Sequence, residues 1–422
     1  MTSLDPSPLL VALVQAAASV PMFLLAIPAG ALSDVVDRRK FLLVGELTIM
    51  ASAVVFAALV SRHLLTPATL LLMTFIVSVG SAMTAPAWQA VVTVLVPKAD
   101  LPAAIALNSA GVNVSRAVGP ALGGLIVSAL GIAAPFWLDA FSNAGVIAGL
   151  MSWHPPQRQH ARLPPERFGA AVRAGLRHAR YNPHLTATLA RAAAFFPFAS
   201  AYWALLPLVA RQQTDSSPTL YGLLLGAIGA GAVGGAFVLP WLKERLGADL
   251  SLAAGTVGTA AASVLFGVSH ATSTALLASI IAGVSWIASL SSLNVSAQVA
   301  LPEWVRGRGL AVFVTVFFGC MSLGSVLWGE AGSLAGVSPA LYLAAAGAVV
   351  FIPLSWRWKL QTGAGVDFSP SMHWPAPITV HEVEQDRGPV LVTVDYRIDP
   401  KNRAAFLRAL YRYSRERRRD GA

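Results

Sequence analysis

GALSDVVDRRK, residues 30–40, sets two acids and three bases between two long apolar runs. The surrounding chain is only 12% charged. A short charged turn between apolar spans cannot lie in hydrocarbon, so it marks a membrane surface. Its excess of Arg and Lys marks that surface as the cytoplasmic one.

Composition agrees with this reading. A soluble domain carries roughly 25% charged residues, twice what this 422-residue chain has, and 55% of its residues are hydrophobic. The 35 Gly and 27 Pro fit transmembrane helices, whose neighbours re-satisfy broken backbone hydrogen bonds. Cys320 is the single cysteine, which excludes an internal disulfide framework and a Cys-based metal cluster. No metal and no cofactor is expected. The net charge of +10 sits in short loops and at the C-terminus, so it reads as topology and not as nucleic-acid binding. Met1 to Pro8 carries Asp5 and no base, which is not a signal-peptide pattern.

Working outward, about 20 apolar residues cross the bilayer, and the chain supplies eleven such candidates. Five lie at 9–32, 41–61, 67–96, about 104–130 and 134–153, closing an N-terminal bundle over residues 1–153. Residues 154–183 form a basic polar linker in which Arg173, Arg177 and Arg180 share one helical face. Six more spans at 184–210, 219–242, 250–269, 273–300, 307–335 and 339–358 form a C-terminal bundle over 184–360. Residues 361–422 are a tail. The expected fold is an all-α integral membrane protein of two helical bundles, five spans plus six, with a short βα cytoplasmic tail.

Loops on the side of the opening motif carry fourteen bases, from Arg38, Arg39 and Lys40 through Lys98, six linker arginines, Lys243, Arg245, Arg306 and Arg308. The opposite loops carry Arg62 and Arg211. That asymmetry predicts a cytoplasmic linker and C-terminus, with Met1 outside. A constant offset of 205 residues maps Gly30 on Gly235, Arg38 on Lys243, Lys40 on Arg245, Pro97 on Pro302, Gly119 on Gly324 and Gly124 on Gly329. One offset across three helix junctions predicts duplicated halves. In that alignment span 184–210 has no counterpart, so the N-terminal half is one helix short. The expectation is that an ancestral first helix precedes Met1.

Together these features resemble the major facilitator superfamily. Its loop motif G-x-L-[AS]-D-R-x-G-R-R is matched by Gly30, Leu32, Ser33, Asp34, Arg38 and Arg39, with Val35 and Asp37 departing from it. Its antiporter motif G-x-x-x-G-P-x-x-G-G is matched by Gly119, Pro120, Gly123 and Gly124, with Ser115 at the first position. Within the superfamily the chain resembles the bacterial transmembrane secretion effectors, which include siderophore exporters. The span from residue 9 then corresponds to the family's second helix. The tail from Pro375 is similar to the start of an antibiotic-biosynthesis-monooxygenase-like ferredoxin fold. There, GPVLVTVDYRI reads as one strand, and Asp399 with Pro400 opens a helix to about Arg418.

The resemblance implies a conformational latch at Gly30, Asp34, Asp37, Arg38 and Arg39, against the plainer reading of topology-setting charge. Gly119, Pro120, Gly123 and Gly124 are candidates for a hinge or for static close packing. Ionisable groups inside spans cost roughly 2.5–3.5 kcal/mol at the helix centre, so each is a functional candidate. Arg116, deep in its span, is the leading one, for an anion contact or an internal ion pair. Glu46, Asp139 and Arg191 are further candidates for substrate or proton coupling. Gln89, Asn113, Phe195, Trp203, Trp286, Asn294 and Phe317 are candidates to line a cavity, or to pack between helices.

No catalytic set is visible, since the eight His lack H-E-x-x-H spacing and neither a Walker loop nor a G-x-S-x-G elbow occurs. Transport without a P-loop points to an ion gradient as the driving force. The expected function is secondary, proton-coupled export of a small siderophore- or drug-like amphipathic compound through the cell membrane by alternating access. An importer of the same fold and a transport-inactive scaffold are the rival readings.

Overall fold

The computed structural model describes residues 1, 4–95, 104, 107, 111, 115, 118, 119, 122–127, 129–153, 176–212, 218–301, 306–361 and 398–419. Its elements are α1 (Pro8–Val35), α2 (Arg38–Ser61), α3 (Pro67–Leu95), α4 (Ala134–Ser152), α5 (Pro183–Gln212), α6 (Pro218–Val268), α7 (Thr272–Val299), α8 (Arg306–Ala335) and α9 (Val337–Ser355). A 3₁₀ turn, η1 (Pro400–Asn402), then leads into α10 (Arg403–Arg419). Residues 122–127, 129 and 130 are also helical. The strand expected over 388–398 lies outside the described residues except for Ile398.

Eight helices among the described residues are long and apolar enough to cross a membrane. Their outward faces are apolar, as lipid requires: Leu72 of α3 is 54% exposed and Phe237 of α6 82%. α1–α4 form one bundle in which α3 packs on α1 and α2, and α4 on α2. α5–α9 form the second, with most of the buried apolar residues. The bundles meet along α1, which lies against α8 and α5.

The charged stretch at residues 30–40 is tighter than a loop. α1 runs through Val35 and α2 starts at Arg38, so only Val36 and Asp37 are non-helical. Asp37 is the N-cap of α2, its carboxylate accepting from the Lys40 amide at 3.1 Å. Asn182 does the same for α5, accepting from the amides of His184 (3.1 Å) and Leu185 (3.2 Å). Asp399 likewise caps η1 by accepting from the Lys401 amide at 3.1 Å.

The spans expected at 219–242 and 250–269 are joined without a loop. α6 is helical for 51 residues except at Gly247, whose φ of 74° and ψ of 179° break the helix. A straight helix would hold Gly231 and Gly255 about 36 Å apart. Yet a methyl on Gly231 would strike the Ile280 carbonyl of α7, and one on Gly255 would strike Ser289 of the same helix. Both arms of α6 therefore lie on one short stretch of α7, and the chain folds back at Gly247. The α6–α7 contact is closest at Gly283, where an added methyl would meet the Ile228 carbonyl. Membrane helices without a hydrophobic force between them associate through such small-residue contacts.

Candidate functional site

Three clusters of polar or aromatic side chains occur where helices converge. The first joins α2 to its neighbours. Arg39 donates from Nε to the Leu150 carbonyl at 2.8 Å and from Nη2 to the Met151 carbonyl, so a cation closes the C-terminal end of α4. Arg38 Nε is buried with no hydrogen-bond partner among the described residues. Gly30 and Asp34 lie in the last turns of α1, and their surroundings fall outside the described set. About two turns deeper, Glu46 is 6% exposed and accepts from Trp88 Nε1 of α3 at 2.8 Å. This pair sits where Gly45 meets Thr84, a crossing too close for a side chain at Gly45.

Arg191 organises the second cluster. Only 2% exposed, it donates from Nη2 to Asp249 Oδ1 at 2.8 Å and from Nη1 to Ser355 Oγ at 3.1 Å. Its guanidinium lies over the Trp356 ring at 5.2 Å, and Lys359 approaches the same ring at 4.3 Å. Asp249 Oδ1 also accepts from the Leu360 amide at 3.2 Å. The turn at Gly247 makes this possible, because it brings Asp249 back beside the start of α5 while α9 ends at Ser355. Three helices are thus tied at one end by a single fork of hydrogen bonds. Arg191 Nε has no hydrogen-bond partner among the described residues and borders a small cleft with Phe195, Thr256 and Phe351.

The third cluster is aromatic. Trp286 of α7 lies 5.9 Å from Phe196, 6.4 Å from Phe195 and 5.4 Å from Trp203, all of α5, and 6.1 Å from Phe317 of α8. Phe196 and Phe317 meet edge to face at 4.5 Å, and Phe317 continues to Phe318 at 4.6 Å. The cluster reaches the first bundle, because a methyl on Gly319 would sit 2.8 Å from the Phe23 ring of α1. Trp203 Nε1 and the Tyr202 hydroxyl are buried beside each other without a well-aligned hydrogen bond.

The structure thus brings together Phe195, Trp203, Trp286 and Phe317, named from sequence as cavity candidates. It does not bring Asp139 to Arg191: Asp139 is exposed on α4 and its carboxylate accepts from Asn143 of the same helix at 3.3 Å. Asn294 accepts from Gln298 one turn on at 2.8 Å. Among the described residues, methyls built on Gly119 and Gly123 meet no atom within 4 Å, whereas Gly324, the repeat partner of Gly119, presses on Pro197 of α5, and Gly329, the partner of Gly124, on Ala12 of α1. Arg116, Asn113 and Pro120 lie outside the described residues, as does the Gln89 side chain. Sequence reasoning missed Asp249, Ser355 and Trp88. Asp249 had a signal, as one of only twenty acids, standing just past the repeated bases Lys243 and Arg245.

Two bundles of apolar helices, meeting along α1 and α8 around an aromatic seam, define a membrane transporter of the major facilitator type. More narrowly, the chain belongs to the transmembrane secretion effector family, whose model matches residues 1–422. It is 25% identical over 233 residues to the uncharacterized MFS-type transporter YfiS of Bacillus subtilis (strain 168). That match covers 54% of either chain, so the similarity spans about half the relative's length. Among solved structures, a POT family transporter in complex with 5-aminolevulinic acid aligns with a TM-score of 0.65 at 12% identity, covering 82% of this chain and 86% of that one. The nucleoside transporter NupG aligns at 0.63 and 13%, covering 83% and 90%. A bacterial homolog of the human lysosomal transporter Spinster aligns at 0.61 and 15%, covering 85% and 91%. At these identities the likeness is one of fold.

Proposed function

We propose that the chain is a proton-coupled exporter of a small amphipathic compound with an aromatic or apolar body. The observation that carries this reading is the aromatic seam of Phe195, Phe196, Trp203, Trp286 and Phe317, which adjoins the α1–α8 contact between the two halves. A rocking motion of the bundles passes any bound compound along that contact. Flat rings supply apolar area, and the indole N–H of Trp203, which has no well-aligned partner among the described residues, offers one hydrogen bond to a polar substituent. Such a wall suits siderophore- or drug-like compounds. Arg116 and Arg191 are the bases assigned to an acidic group on the substrate, and Gly119, Pro120, Gly123 and Gly124 the hinge. Gly30, Asp34, Asp37, Arg38 and Arg39 form the latch at the cytoplasmic side.

Glu46 is the proton carrier in this reading, ahead of Asp139, because it is buried and its one hydrogen bond comes from a neutral indole that stays a donor in either protonation state. Everted vesicles energised with a proton gradient test it. They should accumulate a fluorescent aromatic amphiphile in their lumen, which is the export direction in an everted membrane, and Glu46→Gln should abolish the gradient-driven part while the protein still folds. Unchanged accumulation in Glu46→Gln vesicles overturns the coupling assignment, and release of preloaded compound to the medium in place of accumulation overturns the direction.

A further inference from the structure

We infer that α10 is a docking surface for an anionic lipid bilayer. Between Arg403 and Arg419 the chain carries seven arginines and one acid, Glu416. Arg408, Arg412, Arg415 and Arg419 recur at intervals of four, three and four, which places them on one face of the helix. The opposite face carries Phe406, Leu407, Leu410 and Ser414, with Arg403 and Arg417 at its two ends, and Tyr411 stands at its border with the arginines. Leu407 and Leu410 are each 39% exposed and Tyr411 is 76% exposed. Among the described residues α10 packs closely only with η1. A helix with one apolar stripe and one arginine stripe is stable in water only if that apolar stripe is covered, and it matches the interface plane of a membrane bearing negative headgroups.

Charge complementarity selects the occupant. A protein partner for such a face would need its own acidic rim, whereas the bilayer is already held beside this chain by the eight helices, among the described residues, that are long and apolar enough to cross it. The tethering makes docking intramolecular, so a single helix is enough to hold the surface. The inference is independent of export, of coupling and of which side the tail occupies, since both faces of a nanodisc are open.

The test uses the full chain with Cys320→Ser and Ser414→Cys, labelled at 414 with an environment-sensitive fluorophore. It is placed in nanodiscs of phosphatidylcholine alone or of phosphatidylcholine and phosphatidylglycerol in equal parts. The expected result is a blue shift only in the anionic discs, reversed by high salt and lost in a variant with Arg408, Arg412, Arg415 and Arg419 all changed to Glu. Leu407→Ser with Leu410→Ser should also reduce the shift, with the melting of the bundles as a folding control. Equal emission in both lipids overturns the inference. A shift in neutral discs that grows with protein concentration assigns the face to a second copy, and one that needs added DNA assigns it to nucleic acid; either result overturns it too.

Discussion

Arg191 and Glu46 are both buried ionisable groups, yet they differ in what surrounds them. Arg191 spends two of its three donor nitrogens on Asp249 and Ser355, which belong to different helices. Removing Asp249 leaves a buried guanidinium without its counter-charge, a change that costs about 3 kcal/mol at the lower end for such pairs. Asp249→Ala should therefore lower the melting temperature in detergent clearly. Arg191→Lys, made on its own, should lower it too, because an ammonium cannot span both acceptors as a planar fork does. A melting temperature equal to wild type for Asp249→Ala would show that the pair is not holding these helices. For Glu46 the expected outcome is the reverse. Glu46→Gln keeps a carbonyl oxygen for Trp88 Nε1, so stability should hardly change while gradient-driven efflux falls. Both residues stood out in the sequence as charges within apolar runs, but their partners did not. Trp88 looks like any membrane tryptophan until α2 and α3 are crossed, and Asp249 is useful only because the chain turns back at Gly247.

Among the elements, the α6–α7 pair sets the closest contacts and the sequence concealed why. Apolar runs at 219–242 and 250–269 marked two spans by composition, and Lys243 and Arg245 between them implied a loop. Instead those bases sit on helix, Lys243 donating to Ser291 Oγ at 3.0 Å and Arg245 stacking at 4.6 Å over Trp241. Helical hydrogen bonding continues because one glycine with positive φ is enough to reverse direction. Gly283→Val should separate α6 from α7 and cost about 1–3 kcal/mol by overpacking, read as lower yield of folded protein by size-exclusion chromatography. Gly119→Ala makes a contrasting case. Among the described residues no atom lies within 4 Å of a methyl built there, so folding should be unaffected and even slightly favoured by the lower backbone entropy of the unfolded chain. If Gly119 serves as a hinge, transport should fall although the melting temperature does not; unchanged transport would remove it from the hinge.

Over the whole molecule, hydropathy and loop charge made the two-bundle architecture legible, because both report the bilayer as solvent and need no tertiary knowledge. What sequence could not supply was which faces meet across the seam, since nearly every residue in a membrane helix is apolar and periodicity loses its contrast. Phe23 of α1 was not singled out, yet it is the ring from the first bundle that leans on Gly319 of the second. Phe196→Ala and Phe317→Ala should each reduce efflux of aromatic amphiphiles severalfold while sparing a small non-aromatic substrate, measured as initial rates in vesicles. The bend at Gly247 also bears on biosynthesis. Two spans joined by one non-helical residue leave almost no slack between them, so an epitope inserted after Gly247 should lower the yield of folded protein before it alters any transport step.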